Sequence, residues 1–229
     1  MTFAFDPAPT PSVAIAGSDS RFPVRRIFCV GRNYAAHARE MGKDPDREPP
    51  FFFTKPADAV ADTGSRVPYP PLTNNFHYEI ELVVAIGRGG TDIAVEAALD
   101  HVYGYAVGID LTRRDLQFDA RDKGRPWDWG KAFDQSAPIA PILRGKDARS
   151  GRIWLAVNGA IKQDAALAEL IWPVPEIIAF LSQSVALKAG DIVMTGTPAG
   201  VGPIVPGDVV TGGIDGLEDI TITIGARDA

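Results

Sequence analysis

Apolar residues recur in short runs, often at every second position, and Gly, Pro, Asn and Asp break the runs. That pattern predicts strands with a few inserted helices rather than a helical bundle. Tyr78–Ile86 is the clearest run: Ile80, Leu82, Val84 and Ile86 share one face, and Glu79, Glu81, Val83 and Ala85 share the other, a half-buried surface. Strands are also predicted over Val24–Val30, Phe51–Thr54, Val102–Leu111, Trp154–Val157, Asp191–Thr195, Asp208–Ile214 and Ile220–Ile224, and Asn158-Gly159 marks a tight hairpin turn. Helices are predicted over Tyr34–Met41, capped by Asn33 and ended by Gly42, and over Val95–His101. Another starts at Thr112 with Asp115 three residues on and stops near Gly124, and a last one runs from Pro175 to about Leu187. The fold class is therefore α+β and strand-rich. Met1–Pro23 holds Pro7, Pro9, Pro11 and Pro23 without sustained periodicity and is expected to be an N-terminal arm before a single domain, residues 24–229.

Composition narrows the functional classes. The 229 residues include 23 basic and 29 acidic side chains, a formal charge of −6, which opposes phosphate-backbone binding, so no nucleic-acid partner is expected. A single cysteine, Cys29, excludes an internal disulfide framework and any Cys-rich metal site. No stretch reaches the ~18 consecutive apolar residues of a membrane-spanning helix, and the start lacks a basic leader, so the expectation is a cytoplasmic protein without a membrane partner.

Several residues then suggest chemistry. Glu79 and Glu81 leave one face of a strand about two residues' rise apart, roughly 7 Å, and burying both is costly unless a cation lies between them. Asp110 ends the apolar run Val102–Ile109 and adds a carboxylate at the mouth of a strand. Three carboxylates with waters can hold Mg²⁺ or Mn²⁺ and leave positions open for substrate oxygens. The spacing alone also fits two solvated glutamates and a strand-end cap, and His77, on the face of Glu79 and Glu81, leaves a mixed His/carboxylate iron site open. His37 and Glu40 are three apart on a short helix, where the carboxylate can orient the imidazole as a general base; a surface hydrogen bond has the same spacing. Arg114 and Gln117 are likewise three apart and could grip a substrate carboxylate, or simply form a solvated helix face. Lys131 follows Lys123–Gly130, a segment with Trp127 and Trp129 that reads as a lid. The Gly196–Gly202 run lacks both nucleotide-binding spacings and reads as a tight turn, with Thr197 and backbone N–H groups free for an anion.

Six fragments, in order, resemble the fumarylacetoacetate hydrolase family in its short, single-domain branch: Cys29–Glu40, Phe53–Pro56, His77–Glu81, Gly108–Gln117, Gly130–Asp134 and Gly190–Gly202. The resemblance spans about Val24 to Gly225. It implies a mixed β-roll, a homodimer, and Mg²⁺ or Mn²⁺ held by Glu79, Glu81 and Asp110. It further implies that His37 and Glu40 activate water, that Lys131, Arg114, Gln117 and Thr197 handle the substrate, and that His77 is not a ligand. Asp44–Phe53, Gly124–Gly130 and Leu170–Glu176 look most like the fumarylpyruvate-cleaving branch of gentisate degradation. The expected substrate is a small 2,4-dioxo acid, an acylpyruvate, hydrolysed at a carbon–carbon bond. Oxaloacetate decarboxylation or isomerisation of a dienol diacid on the same metal are the enzymatic alternatives, and a non-catalytic metal-stabilised binding module is the remote one.

Overall fold

The computed structural model describes residues 2–41, 48–145, 148 and 150–227. Its largest sheet has eight strands and mixed polarity. Seven run in the order Phe51–Lys55, Arg26–Gly31, Asp191–Met194, Ile80–Ile86, Val102–Ile109, Ala137–Ile139 and Val60–Asp62, and Leu143–Arg144 pairs beside Val102–Ile109. Arg26–Gly31 runs parallel to Asp191–Met194, and Ile80–Ile86 is antiparallel to both its neighbours. A five-stranded sheet, ordered Ala160–Ala166, Arg152–Val157, Val209–Ile214, Ile220–Ile224 and Arg66–Val67, packs across it. The two sheets roll around a shared core in the strand-rich arrangement expected.

The central strand explains the roll. Ile80, Leu82, Val84 and Ile86 join the core that also holds Ile153, Leu155, Val210 and Ile222 of the second sheet. Val83 and Ala85 point the other way, into a second core with Cys29, Ala106 and Met194. The alternation was read correctly, but every residue of Ile80–Ile86 is buried, so the acidic face is enclosed rather than half-buried.

The second core also takes in Val13, Phe22 and Val24. Ser12–Ile15 and Ser18–Pro23 form a hairpin within the expected arm, its turn at Gly17, where φ is 68°. The predicted Asn158-Gly159 turn is present, with φ of 51° and 80° at its two residues and antiparallel strands on either side, as a type I′ hairpin requires.

Three helix boundaries differ from expectation. Asn33 does not cap the first helix, Ala35–Glu40: Tyr34 is the N-cap residue, with no side-chain cap. The expected stop at Gly42 lies outside the described residues. Thr112 does not cap the next helix either, because Thr112–Arg113 pairs as a short strand with Phe76–Tyr78, and the helix is Arg114–Asp122. Asp115 accepts instead from the Thr73 hydroxyl and the Asn74 N–H, tying that helix to a distant loop. The last helix, Val174–Ser184, stops short of Leu187, since Val185 is extended and Leu187 bridges to Gly90.

Candidate active site

The register of the central strands gathers the acidic residues. Antiparallel pairing sets Ile80 opposite Ile109 and Glu81 opposite Gly108. Just beyond, the Asp110 N–H donates to the Glu79 carbonyl at 2.8 Å. One carboxylate oxygen from each of Glu79, Glu81 and Asp110 consequently lies within 4.8 Å of the other two, and all three residues are buried.

Three cations surround them unevenly. Lys131 Nζ donates to Glu79 at 2.8 Å, to Asp110 Oδ2 at 2.6 Å and to the Thr112 hydroxyl at 2.7 Å. Arg114 donates to the other Glu79 oxygen. Lys55 Nζ stands 2.9 Å from Asp110 Oδ1 and also donates to the carbonyls of Leu111 and Lys131. Among the described residues, Glu81 accepts only the Gly196 N–H, at 2.7 Å. Burial, with Asp110 and Glu79 alongside, pushes the Glu81 carboxyl well above the usual carboxylate range. Burial acts in the same sense on Glu79, but Lys131 and Arg114 overcome it and hold that carboxyl well below the range.

These groups suit a divalent metal. The donors are all hard carboxylate oxygens, the choice of Mg²⁺ or Mn²⁺ rather than of a softer ion. Among the described residues, no cationic side chain forms an ion pair with the buried Glu81, which accepts the Gly196 N–H and keeps oxygen lone pairs for a cation. With all three carboxyls ionised, they balance the charges of Lys55, Lys131 and Arg114, so a divalent ion would leave two positive charges for a doubly negative ligand.

His77 is not part of the cluster. Its Nδ1 accepts from Arg114 Nε at 3.4 Å, and its Nε2 pairs with Asn75 Oδ1 at 2.8 Å. Both ring nitrogens are engaged, so the iron site that spacing left open does not form. Burial and the Arg114 charge lower the His77 pKa to about 4, consistent with a neutral ring.

His37 comes from the other side. It is buried on the Ala35–Glu40 helix, and its Nδ1 lies 3.1 Å from Glu40 Oε2. That contact assigns the proton to Nδ1 and leaves the Nε2 lone pair free. Glu40 also receives the Gly200 N–H. Asn33 anchors this helix: its amide donates to the carbonyls of Trp172 and Thr195, and its oxygen accepts from the Trp172 N–H.

His37, Glu79, Glu81, Asp110, Arg114, Gln117, Lys131 and Thr197 all line one pocket. Glu40 stands behind His37 and is not in that lining. Arg114 donates to Gln117 at 2.6 Å, and Thr197 accepts from Gln163, whose own oxygen takes the Ile80 N–H. Gly130 lets the Asp128–Lys131 turn sit directly on the preceding helix, Arg114–Asp122, since a Cβ there would lie 2.9 Å from the Gln117 Cα. Of the two tryptophans on the segment that reads as a lid, Trp127 lines the pocket, whereas Trp129 is 72% exposed and does not. Sequence reasoning overlooked Lys55 and Gln163. Lys55 closes the apolar run Phe51–Thr54 just as Asp110 closes its own, which was a usable signal; Gln163 sits in a polar stretch with none.

A model described as fumarylacetoacetate (FAA) hydrolase C-terminal matches residues 26–225. The chain belongs to the fumarylacetoacetate hydrolase family. Within that family it is 46% identical over 189 residues to the fumarylpyruvate hydrolase of a Ralstonia species, covering 81% of this chain and 98% of the relative. It is 42% identical over 196 residues to the mitochondrial oxaloacetate tautomerase FAHD1 of Mus musculus, covering 84% and 88%. Among solved structures, the fumarylpyruvate hydrolase of Pseudomonas aeruginosa in complex with Mn²⁺ and pyruvate superposes with a TM-score of 0.96 at 52% identity, over 99% of this chain and 100% of that one.

Proposed function

We propose that this family member is a metal-dependent carbon–carbon bond hydrolase that cleaves an acylpyruvate, fumarylpyruvate above all, to pyruvate and fumarate. The observation that carries the reading is that His37, backed by Glu40, faces the Glu79, Glu81 and Asp110 cluster across one pocket. A base and an oxygen-only cation site in one pocket are what hydrolysis of a chelating dioxo acid needs. The likeness to fumarylpyruvate hydrolases supports the choice of acyl group.

Glu79, Glu81 and Asp110 hold Mg²⁺ or Mn²⁺; when bound, the cation supplies Lewis-acid stabilisation for negative charge on the substrate's carboxylate and 2-oxo oxygens. Arg114, Gln117 and Thr197 orient the substrate. His37 Nε2 takes a proton from water while the water oxygen bonds to the C4 carbonyl carbon, a contribution typically of about 10² to 10⁴ in rate. The Lys131 ammonium stabilises the C4 oxyanion. The C3–C4 bond then breaks, its electron pair enters the pyruvate half as an enolate, and a proton returned to C3 yields pyruvate and a carboxylic acid. Trp127 and its segment exclude bulk water.

Residues 1–23 act as an arm on a catalytic unit spanning 24–229, and the enzyme works as a cytoplasmic homodimer in gentisate-type aromatic catabolism. Among the described residues no helix is long and apolar enough to cross a membrane.

The test is ultraviolet loss of several acylpyruvates and of oxaloacetate with added Mg²⁺. Wild type should cleave acylpyruvates, and Glu79→Ala or Asp110→Ala should abolish both turnover and metal-dependent thermal stabilisation. Retained activity in excess EDTA rejects the metal role. Oxaloacetate chemistry, which the FAHD1 likeness favours, needs no attacking water, so a substrate whose conversion survives His37→Ala is decarboxylated or tautomerised rather than hydrolysed.

A further inference from the structure

The pocket has a second charged end that the chemistry above does not use. Arg32, Phe53, Arg121 and Trp127 line both the active-site pocket and an outer groove that continues from it. Arg32 adopts φ of 56°, the left-handed region that a long side chain rarely occupies. Backbone of this kind persists where the surroundings enforce it and clusters at functional sites.

The surroundings are built around its guanidinium. Gly31 carries no Cβ, and the space is filled by the Phe51 ring, whose Cζ would lie 2.0 Å from such an atom. The same ring carries the Arg32 guanidinium, 5.0 Å from its centroid, and Trp127 braces it edge-on at 5.3 Å. Arg32 is thus positioned by aromatic packing, and among the described residues no carboxylate pairs with it. Nearby Arg121 pairs with the exposed Asp122, its one charge partner among the described residues.

A part-buried guanidinium held by packing, with no carboxylate partner among the described residues, is a binding group for an anion, in bidentate geometry. We infer that Arg32, assisted by Arg121, binds a second carboxylate at the far end of the substrate, so that the pocket selects acylpyruvates whose acyl chain ends in an acid. The inference rests on the acylpyruvate reading and adds the residue that chooses among such substrates. One carboxylate lies at the acidic cluster and the other at Arg32, with the reacting carbonyl between them.

The experiment compares fumarylpyruvate with crotonylpyruvate, in which a methyl replaces the distal carboxylate, in wild type, Arg32→Gly and Arg32→Lys. Glycine suits the left-handed backbone, so Arg32→Gly keeps the fold and its melting temperature while removing the guanidinium. The ratio of kcat/KM for fumarylpyruvate over crotonylpyruvate should fall about 10- to 100-fold in Arg32→Gly, the worth of a lost charge-assisted hydrogen bond, and by less in Arg32→Lys. Calorimetry of the Mg²⁺-loaded enzyme should likewise show fumarate binding weakened in Arg32→Gly, with fumarate and crotonate no longer distinguished. An unchanged ratio, equal losses on both substrates, or unaltered fumarate binding overturns the assignment. If wild type cleaves neither acylpyruvate, the proposed reaction fails separately, and the calorimetric comparison alone decides the subsite.

Discussion

Lys131 Nζ lies 2.6 Å from Asp110 Oδ2 and 2.8 Å from Glu79 Oε2, cross-linking two of the three carboxylates of the cluster from inside the protein. Burial would lower the Lys131 pKa, but Asp110 and Glu79 carry it above its ordinary value, so the ammonium stays charged.

Lys131→Met removes that charge and leaves two buried carboxylates undercompensated. Breaking one partner of a buried ion pair costs about 3–5 kcal/mol. The metal-free variant should therefore melt well below wild type, and added Mg²⁺ should raise its melting temperature by more than it raises that of wild type, because the ion replaces the lost positive charge. Thermal melts with EDTA and with Mg²⁺ measure both. A variant that melts with wild type in EDTA would mean that Lys131 carries little of the cluster's electrostatics.

Asn33 holds the His37 helix through partners 139 and 162 residues away, the backbones of Trp172 and Thr195. Asn33→Ala removes three hydrogen bonds that tie the Trp172 and Thr195 backbones to the His37 helix. Each hydrogen bond contributes about 0.5–1.5 kcal/mol net, so chemical denaturation should record a loss of about 2 kcal/mol or more. Turnover should fall further than the remaining folded fraction accounts for, since His37 loses its anchor. Full activity in the folded fraction would separate Asn33 from the positioning of His37.

How far the sequence revealed this site depends on the range of each interaction. Glu79, Glu81 and Asp110 were visible because strand periodicity and the end of an apolar run are local features. Asn33 and Thr112 were misread as caps for the same reason: a short polar side chain before a helix has a local explanation, and its true partners lie across the fold. Thr112 in fact accepts from Lys131 and donates to the Asp110 carbonyl. The burial of both faces of Ile80–Ile86 was hidden because Glu79 and Glu81 made one face look solvated. The cations that make such a face tolerable come from Phe51–Lys55, Arg114–Asp122 and Asp128–Lys131, none of which neighbours the strand in sequence.

Glu40 supplies a pH test. The hydrogen bond from His37 lowers its carboxyl below the ordinary value, burial opposes this, and the Gly200 N–H adds to the lowering. A carboxyl with a depressed folded-state pKa stabilises the protein above its unfolded value, near 4.3, and that stabilisation disappears as pH falls through the folded value. Glu40→Gln keeps an oxygen that can accept from His37 Nδ1 but cannot titrate. Its stability relative to wild type should therefore be lowest at neutral pH and converge on wild type as the solution is acidified below about 4.3. Urea unfolding of both proteins from pH 3 to 7 measures the gap. In the same variant the imidazole keeps its orientation but loses the neighbouring negative charge, so kcat should fall less than in His37→Ala, and a gap that stays constant with pH would show that the Glu40 carboxylate contributes no charge-dependent stability to the helix.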